Sequence, residues 1–127
     1  MVFDPKFVSL LESRYEDLLG HYPKKLEQRL ELASKAGRED AVIAIEALRQ
    51  QLISNNPLDR KIQQLVHFSM LIARNEHGAA KLHAAAAILA GATVQELHGV
   101  AETAAIVCGM PGYSLAVDLI SQVLLDQ

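Results

Sequence analysis

The sequence predicts an all-α fold of about six or seven helices. Apolar residues recur at spacings of three and four along the chain, the period of helices that each bury one face. Alternating β-branched segments joined by Asn-Gly or Asp-Gly turns, the mark of hairpins, are missing. Proline and glycine then punctuate the chain at intervals of one helix length. At 127 residues the chain is expected to form a single domain, 1–127, large enough to hold a core without staples.

Asp4 is the expected cap of a first helix, with Pro5 at its first position, and Gly20-His21-Tyr22-Pro23 ends it. Over 24–36 the residues Leu26, Leu30, Leu32 and Ala33 form a narrow apolar stripe. Gly37 suits a left-handed cap after it. A third helix is expected over 38–53, with Glu39 and Asp40 in the first turn, where the helix dipole favours acids. Ser54-Asn55-Asn56-Pro57 is the clearest break.

The break also divides the composition. Residues 1–56 hold 17 of the 27 charged residues, 8 basic and 9 acidic, so the charged N-terminal helices precede an expected core in 57–127. The first helix of that core, 57–74, carries Ile62, Leu65, Val66, Phe68, Met70, Leu71 and Ile72. A stripe so wide needs cover from other elements or other subunits. Further helices are expected over 76–90, ending at Gly91, and from Thr93 to 107, opened by the capping box Thr93-Val94-Gln95-Glu96. Cys108-Gly109-Met110-Pro111-Gly112 stops that helix, and a last one follows over 113–125.

A formal charge of −3 with no run of like charge argues against nucleic acid and against a polybasic membrane anchor. A single cysteine, Cys108, excludes a disulfide framework, a CxxC pair and a multi-thiolate zinc site within the sequence, and fits a reducing cytoplasm. The N-terminus lacks a secretory pattern, and the uncharged apolar run 83–94 is too short to span a bilayer. The expectation is a cytoplasmic protein without membrane contact.

The segment Asn75-Glu76-His77-Gly78-Ala79-Ala80-Lys81-Leu82-His83, leading into four alanines, concentrates the candidate chemistry. On a helix, residues seven apart differ by only about 20°, so Glu76 and His83 share a face. His77 and His83 differ by about 120°, so they cannot present one metal face, and no metal site is expected. Arg74, His77 and Lys81 would form a basic ridge if the helix ran through Asn75; Lys81 is expected to face solvent. For His83 a satisfied core imidazole and a functional one both stand open. Gln64 and His67 lie three apart on the preceding helix and can converge with His83 if the two helices form a hairpin. Cys108, at an expected helix C-terminus where the dipole opposes a thiolate, reads as a buried structural residue. No GxSxG, phosphate-binding glycine loop or HExxH is found.

The run from His83 through Ala84-Ala85-Ala86-Ala87 and Gly91-Ala92-Thr93-Val94-Gln95-Glu96 to the closing Cys108-Gly109-Met110-Pro111 resembles the carboxymuconolactone decarboxylase-like family, which includes the alkylhydroperoxidase D proteins. The resemblance covers about 57–120. It implies a compact multi-helix all-α domain with the histidine helix central, assembled as a homo-oligomer of three or six subunits. In the redox-active branch a glutamate and a Cys-x-x-Cys pair accompany the histidine. Anchored on His83, those positions fall on Gln64, Glu76 and Ala79, so disulfide cycling has no electron carrier here. The decarboxylase branch lacks the cysteine pair and is the nearer analogue, although its tyrosine position falls on Val107.

The resemblance thus implies acid/base chemistry, without a cofactor, on a small carboxylated or lactone metabolite. His83 is the implied proton donor or oxyanion stabiliser, with His67 and Gln64 as supporting donors. Arg74 and His77 are the implied contacts for a substrate carboxylate, with Glu76 beside them. Two alternatives stand beside this one: a non-catalytic small-ligand-binding oligomer of the same family, and an antioxidant protein acting through Cys108, which the missing CxxC pair disfavours.

Overall fold

The computed structural model describes residues 3–127, and these contain seven α-helices and no strand. The chain divides into two units, Met1–Pro57 and Leu58–Gln127. The all-α expectation holds throughout.

The first unit carries α1 (Pro5–Leu19), α2 (Lys24–Lys35) and α3 (Glu39–Arg49). Asp4 caps α1, its Oδ1 accepting from the Lys6 N–H at 2.9 Å, with Pro5 in the first turn as expected. After α2 the chain closes on Gly37 at φ +66°. The Arg38 N–H reaches the Ala33 carbonyl at 2.8 Å and the Gly37 N–H reaches Ser34 at 3.1 Å. Those two bonds need a left-handed residue at this point, which is the glycine's role.

The expectation of one helix over 38–53 is corrected. The α-helix ends at Arg49, and Gln50–Ser54 winds on as a π-helical turn, with the Asn55 N–H bonded to the Gln50 carbonyl at 3.0 Å. Amide side chains take part in the termination: Asn56 Nδ2 donates to the Leu52 carbonyl at 3.0 Å and Asn55 Nδ2 to Gln51 Oε1 at 3.3 Å.

The second unit carries α4 (Arg60–Ala73), α5 (His77–Leu89), α6 (Val94–Cys108) and α7 (Met110–Leu125). Helix α4 begins later than expected. Asp59 caps it by accepting from the Ile62 N–H at 3.0 Å, which leaves Pro57 outside. Between α4 and α5 the chain turns at Asn75, φ +58°, with Asn75 and Glu76 donating back to the Ile72 and Leu71 carbonyls. The helix is therefore not continuous, and the ridge of Arg74, His77 and Lys81 does not form. The Thr93/Glu96 capping box opens α6 as the sequence predicts, with both reciprocal bonds present. Helix α7 starts at Met110, three residues before the expected Tyr113, because Pro111 falls in the first turn, where its missing N–H costs nothing.

Six of the twelve residues in the core of this unit are alanine, namely Ala80, Ala84, Ala87, Ala101, Ala104 and Ala116, around Phe68, Ile72, Leu97, Leu119, Ile120 and Val123. Small side chains let the helix axes approach closely. At Gly112, just after the α6–α7 turn, there is no room for a side chain: a Cβ there would stand 2.7 Å from Cys108 Cβ and 3.6 Å from the Ala104 carbonyl oxygen. The wide stripe on α4 is divided, since Phe68 and Ile72 are buried while Ile62, Val66 and Met70 remain exposed. No helix among the described residues is long and apolar enough to cross a membrane.

Candidate functional site

Helices α4 and α5 pack as a hairpin, and the packing converts two sequence spacings into one cluster. Gln64 and His67, three apart on α4, meet His83 near the middle of α5. His83 Nδ1 lies 2.6 Å from Gln64 Oε1. The His67 and His83 rings stack with centroids 3.7 Å apart and planes inclined by 18°. Gln64 is fully buried, His83 is 8% exposed and His67 is half-buried.

Because an amide oxygen only accepts, the imidazole proton at this contact sits on Nδ1. In the neutral ring the lone pair then lies on Nε2. The amide nitrogen of Gln64 is buried with no hydrogen-bond partner among the described residues.

Arg74, Glu76 and His77 form a second group. All three are exposed at the α4–α5 turn, where His77 Nε2 pairs with Asn75 Oδ1 at 3.0 Å. At about 1.5 Å rise per residue, Glu76 and His77 stand roughly 9 to 10 Å along the helix axis from His83. The predicted site residues thus separate into an inner trio, with Gln64 and His83 buried and His67 half-buried, and a surface trio. Lys81 is ion-paired to Asp126 at 3.3 Å, with its side chain 40% exposed. Cys108 ends α6 and is half-buried, less enclosed than the expectation of a buried residue.

Two polar clusters escaped the sequence reading. In the first unit the Glu46 carboxylate, 2% exposed, accepts from Arg14 Nη2 at 2.8 Å and from the Tyr15 hydroxyl at 3.0 and 3.2 Å. Arg49 Nε donates to that hydroxyl at 3.0 Å. Arg14, Tyr15, Leu18, Arg49, Ile53 and Ser54 line a cleft beside it. Only the Glu46/Arg49 spacing of three hinted at this; Arg14 and Tyr15 lie more than thirty residues away. In the second unit His98 bridges Glu102 (2.9 Å from Nδ1) and the Tyr113 hydroxyl (3.0 Å from Nε2) on the exposed side of α6 and α7. The i, i+4 spacing of His98 and Glu102 was visible in the sequence. Among the described residues no group of three His, Cys, Asp or Glu side chains is placed to hold a metal ion.

Residues 39–122, two thirds of the chain, match the model of the carboxymuconolactone decarboxylase family. The chain belongs to that family. An uncharacterized protein of Methanocaldococcus jannaschii is 31% identical over 84 residues, which cover 66% of this chain and 78% of that one. A crystal structure from Burkholderia xenovorans LB400, of a protein assigned provisionally as a carboxymuconolactone decarboxylase, superposes with a TM-score of 0.73. It covers 95% of this chain and 93% of its own at 23% identity, which speaks for a shared fold. That likeness of fold reaches beyond the residues 39–122 that match the family model.

Proposed function

We propose that this carboxymuconolactone decarboxylase family member acts on a small carboxylated or lactone metabolite by acid/base chemistry at His83, without a cofactor. The observation that carries the reading is the buried contact of His83 Nδ1 with Gln64 Oε1, which orients an imidazole whose ring stacks on His67. Such an arrangement suits proton transfer. The two rings stack face to face with centroids 3.7 Å apart, so like charges on both would repel. One imidazole can then act as acid while the other stays neutral.

In the decarboxylation of a γ-carboxylactone the bond to the carboxylate carbon breaks and carbon dioxide leaves. The electron pair spreads toward the lactone carbonyl oxygen as a dienolate, and a carbon atom then takes up a proton. His83 is the proposed donor of that proton, with His67 and Gln64 supporting it. Arg74, with a fork that matches a carboxylate, His77 and Glu76 are the proposed outer contacts for substrate. We further propose a homo-oligomer of three or six cytoplasmic subunits. Exposed Ile106, Val107, Met110 and Leu125, 62–86% accessible, support association.

Incubation of the purified protein with γ-carboxymuconolactone tests the reading. Loss of the lactone above the buffer rate, abolished in His83→Ala with the oligomer intact, is expected. No consumption by the wild type would end the decarboxylase assignment. A binding role instead draws on the residues Gln64, Glu76 and Ala79 at the redox branch's glutamate and thiol positions and Val107 at the decarboxylase branch's tyrosine position. Any hydroperoxide turnover that survives Cys108→Ala would remove the thiol from consideration.

A further inference from the structure

Gln64 is fully buried, yet the chain uses only half of its amide. Its oxygen is engaged by His83, whereas its Nε2 is buried without a hydrogen-bond partner among the described residues. An amide N–H shut away from water without an acceptor is costly, and native folds rarely keep one. The amide nitrogen and oxygen of one side chain are about 2.3 Å apart. The unpaired donor therefore lies within roughly 5 Å of His83 Nδ1, beside the stacked rings, and not in some remote part of the core.

We infer that Gln64 Nε2 is a substrate-binding donor built for the carbonyl oxygen of a lactone. This rests on the acid/base reading of His83 and names the oxygen that the site receives. The chemistry favours a carbonyl over a carboxylate at this point. A fully buried, uncharged donor leaves a ground-state carboxylate poorly compensated, because a buried charge needs an opposite charge as well as hydrogen bonds. It suits an oxygen that is neutral on binding and gains negative charge only as the electron pair arrives from the breaking carbon–carbon bond. The amide also cannot take or give a proton. It can hold His83 through Oε1 and the substrate oxygen through Nε2 at the same time, tying proton donor and developing oxyanion to a single side chain.

Gln64→Glu tests this selectively, since it keeps an acceptor for His83 Nδ1 and deletes the donor. Gln64→Met removes both groups at nearly constant volume. With γ-carboxymuconolactone both variants are expected to lose roughly 10²-fold in kcat with little change in KM, the signature of a donor used in the transition state. A kcat within twofold of wild type in both variants overturns the inference while leaving the His83 reading standing.

A second measurement needs no turnover. The Gln64 side-chain amide signal of the ¹⁵N-labelled full chain, assigned by its absence from Gln64→Met, is followed on titration with neutral γ-butyrolactone, γ-carboxy-γ-butyrolactone and acetate. Both lactones are saturated and cannot form the dienolate. A saturable shift with both lactones and none with acetate is expected. A shift with acetate alone assigns the donor to a carboxylate, and no shift with any of the three assigns it to water. Either result overturns the inference. If the wild type consumes no γ-carboxymuconolactone, the catalytic reading fails and the titration alone decides the donor.

Discussion

Among the described residues each unit buries one polar cluster, and the two clusters differ in how completely they are paired. In Met1–Pro57 the Glu46 carboxylate is enclosed by Arg14 and Tyr15, with Arg49 bonded to the Tyr15 hydroxyl, and no buried atom of the group lacks a partner. In Leu58–Gln127 the Gln64 amide is just as deeply buried, but one of its two polar atoms is unmatched. A completed cluster contributes to the fold. An incomplete one beside two imidazoles leaves a donor open, and that contrast supports the proposal that places function at the second cluster.

The largest expected effect strikes the complete cluster. Arg14→Met leaves a buried carboxylate without its closest cation and is expected to cost about 3 kcal/mol in urea unfolding. A loss below about 1 kcal/mol would mean that Glu46 needs no charge partner. Tyr15→Phe is expected to cost about 1.5 to 2 kcal/mol near neutral pH, since the hydroxyl both donates to Glu46 and accepts from Arg49.

This tyrosine also gives an alkaline signature. Burial, with Glu46 adding and Arg49 opposing, pushes its hydroxyl above the ordinary 10.0. A raised folded value contributes stability that is present below pH 10 and is lost as pH rises through the folded value. The difference in unfolding free energy between wild type and Tyr15→Phe should therefore shrink above pH 10.

Gln64→Met should behave otherwise. It removes the bond that the His83 Nδ1–H makes and also relieves the unmade one, so the loss is expected to stay below about 1.5 kcal/mol even as function falls. A loss of about 3 kcal/mol, as large as that of Arg14→Met, would place Gln64 among structural residues and erase the contrast.

The smallest effect is expected at an exposed carboxylate. The backbone N–H of Thr93, with Lys61 assisting at 3.0 Å, holds Glu96 below the ordinary carboxylate value of 4.5. A depressed folded value contributes stability that is present above the unfolded value and disappears as pH falls through the folded one. A small advantage of wild type over Glu96→Gln near neutrality, vanishing on acidification below pH 4.5, is the outcome to measure by unfolding.

The helix ends were largely legible because their bonds are local. Asp4, Gly37, Gly91 and the Thr93/Glu96 box act through groups two to five residues away, within reach of a sequence pattern. The shifted starts of α4 and α7 are also local: Asp59, not Pro57, opens α4, and Pro111 sits inside the first turn of α7 instead of before it. The continuous basic ridge failed at Asn75, whose left-handed conformation turns the chain between α4 and α5.

By itself the sequence determined the all-α class, most helix termini, the alanine-rich packing surface of α5 and the spacings that put Gln64 and His67 on one face. These follow from the helical period and from hydrogen bonds closed within a turn or two. Only the tertiary structure decided that Gln64 meets His83 nineteen residues away, that Glu46 closes on Arg14 across thirty-two, and that one amide nitrogen is left over. Those outcomes depend on the rotation and separation of packed helices. Such distances are set by small core residues acting together, and no local spacing records them.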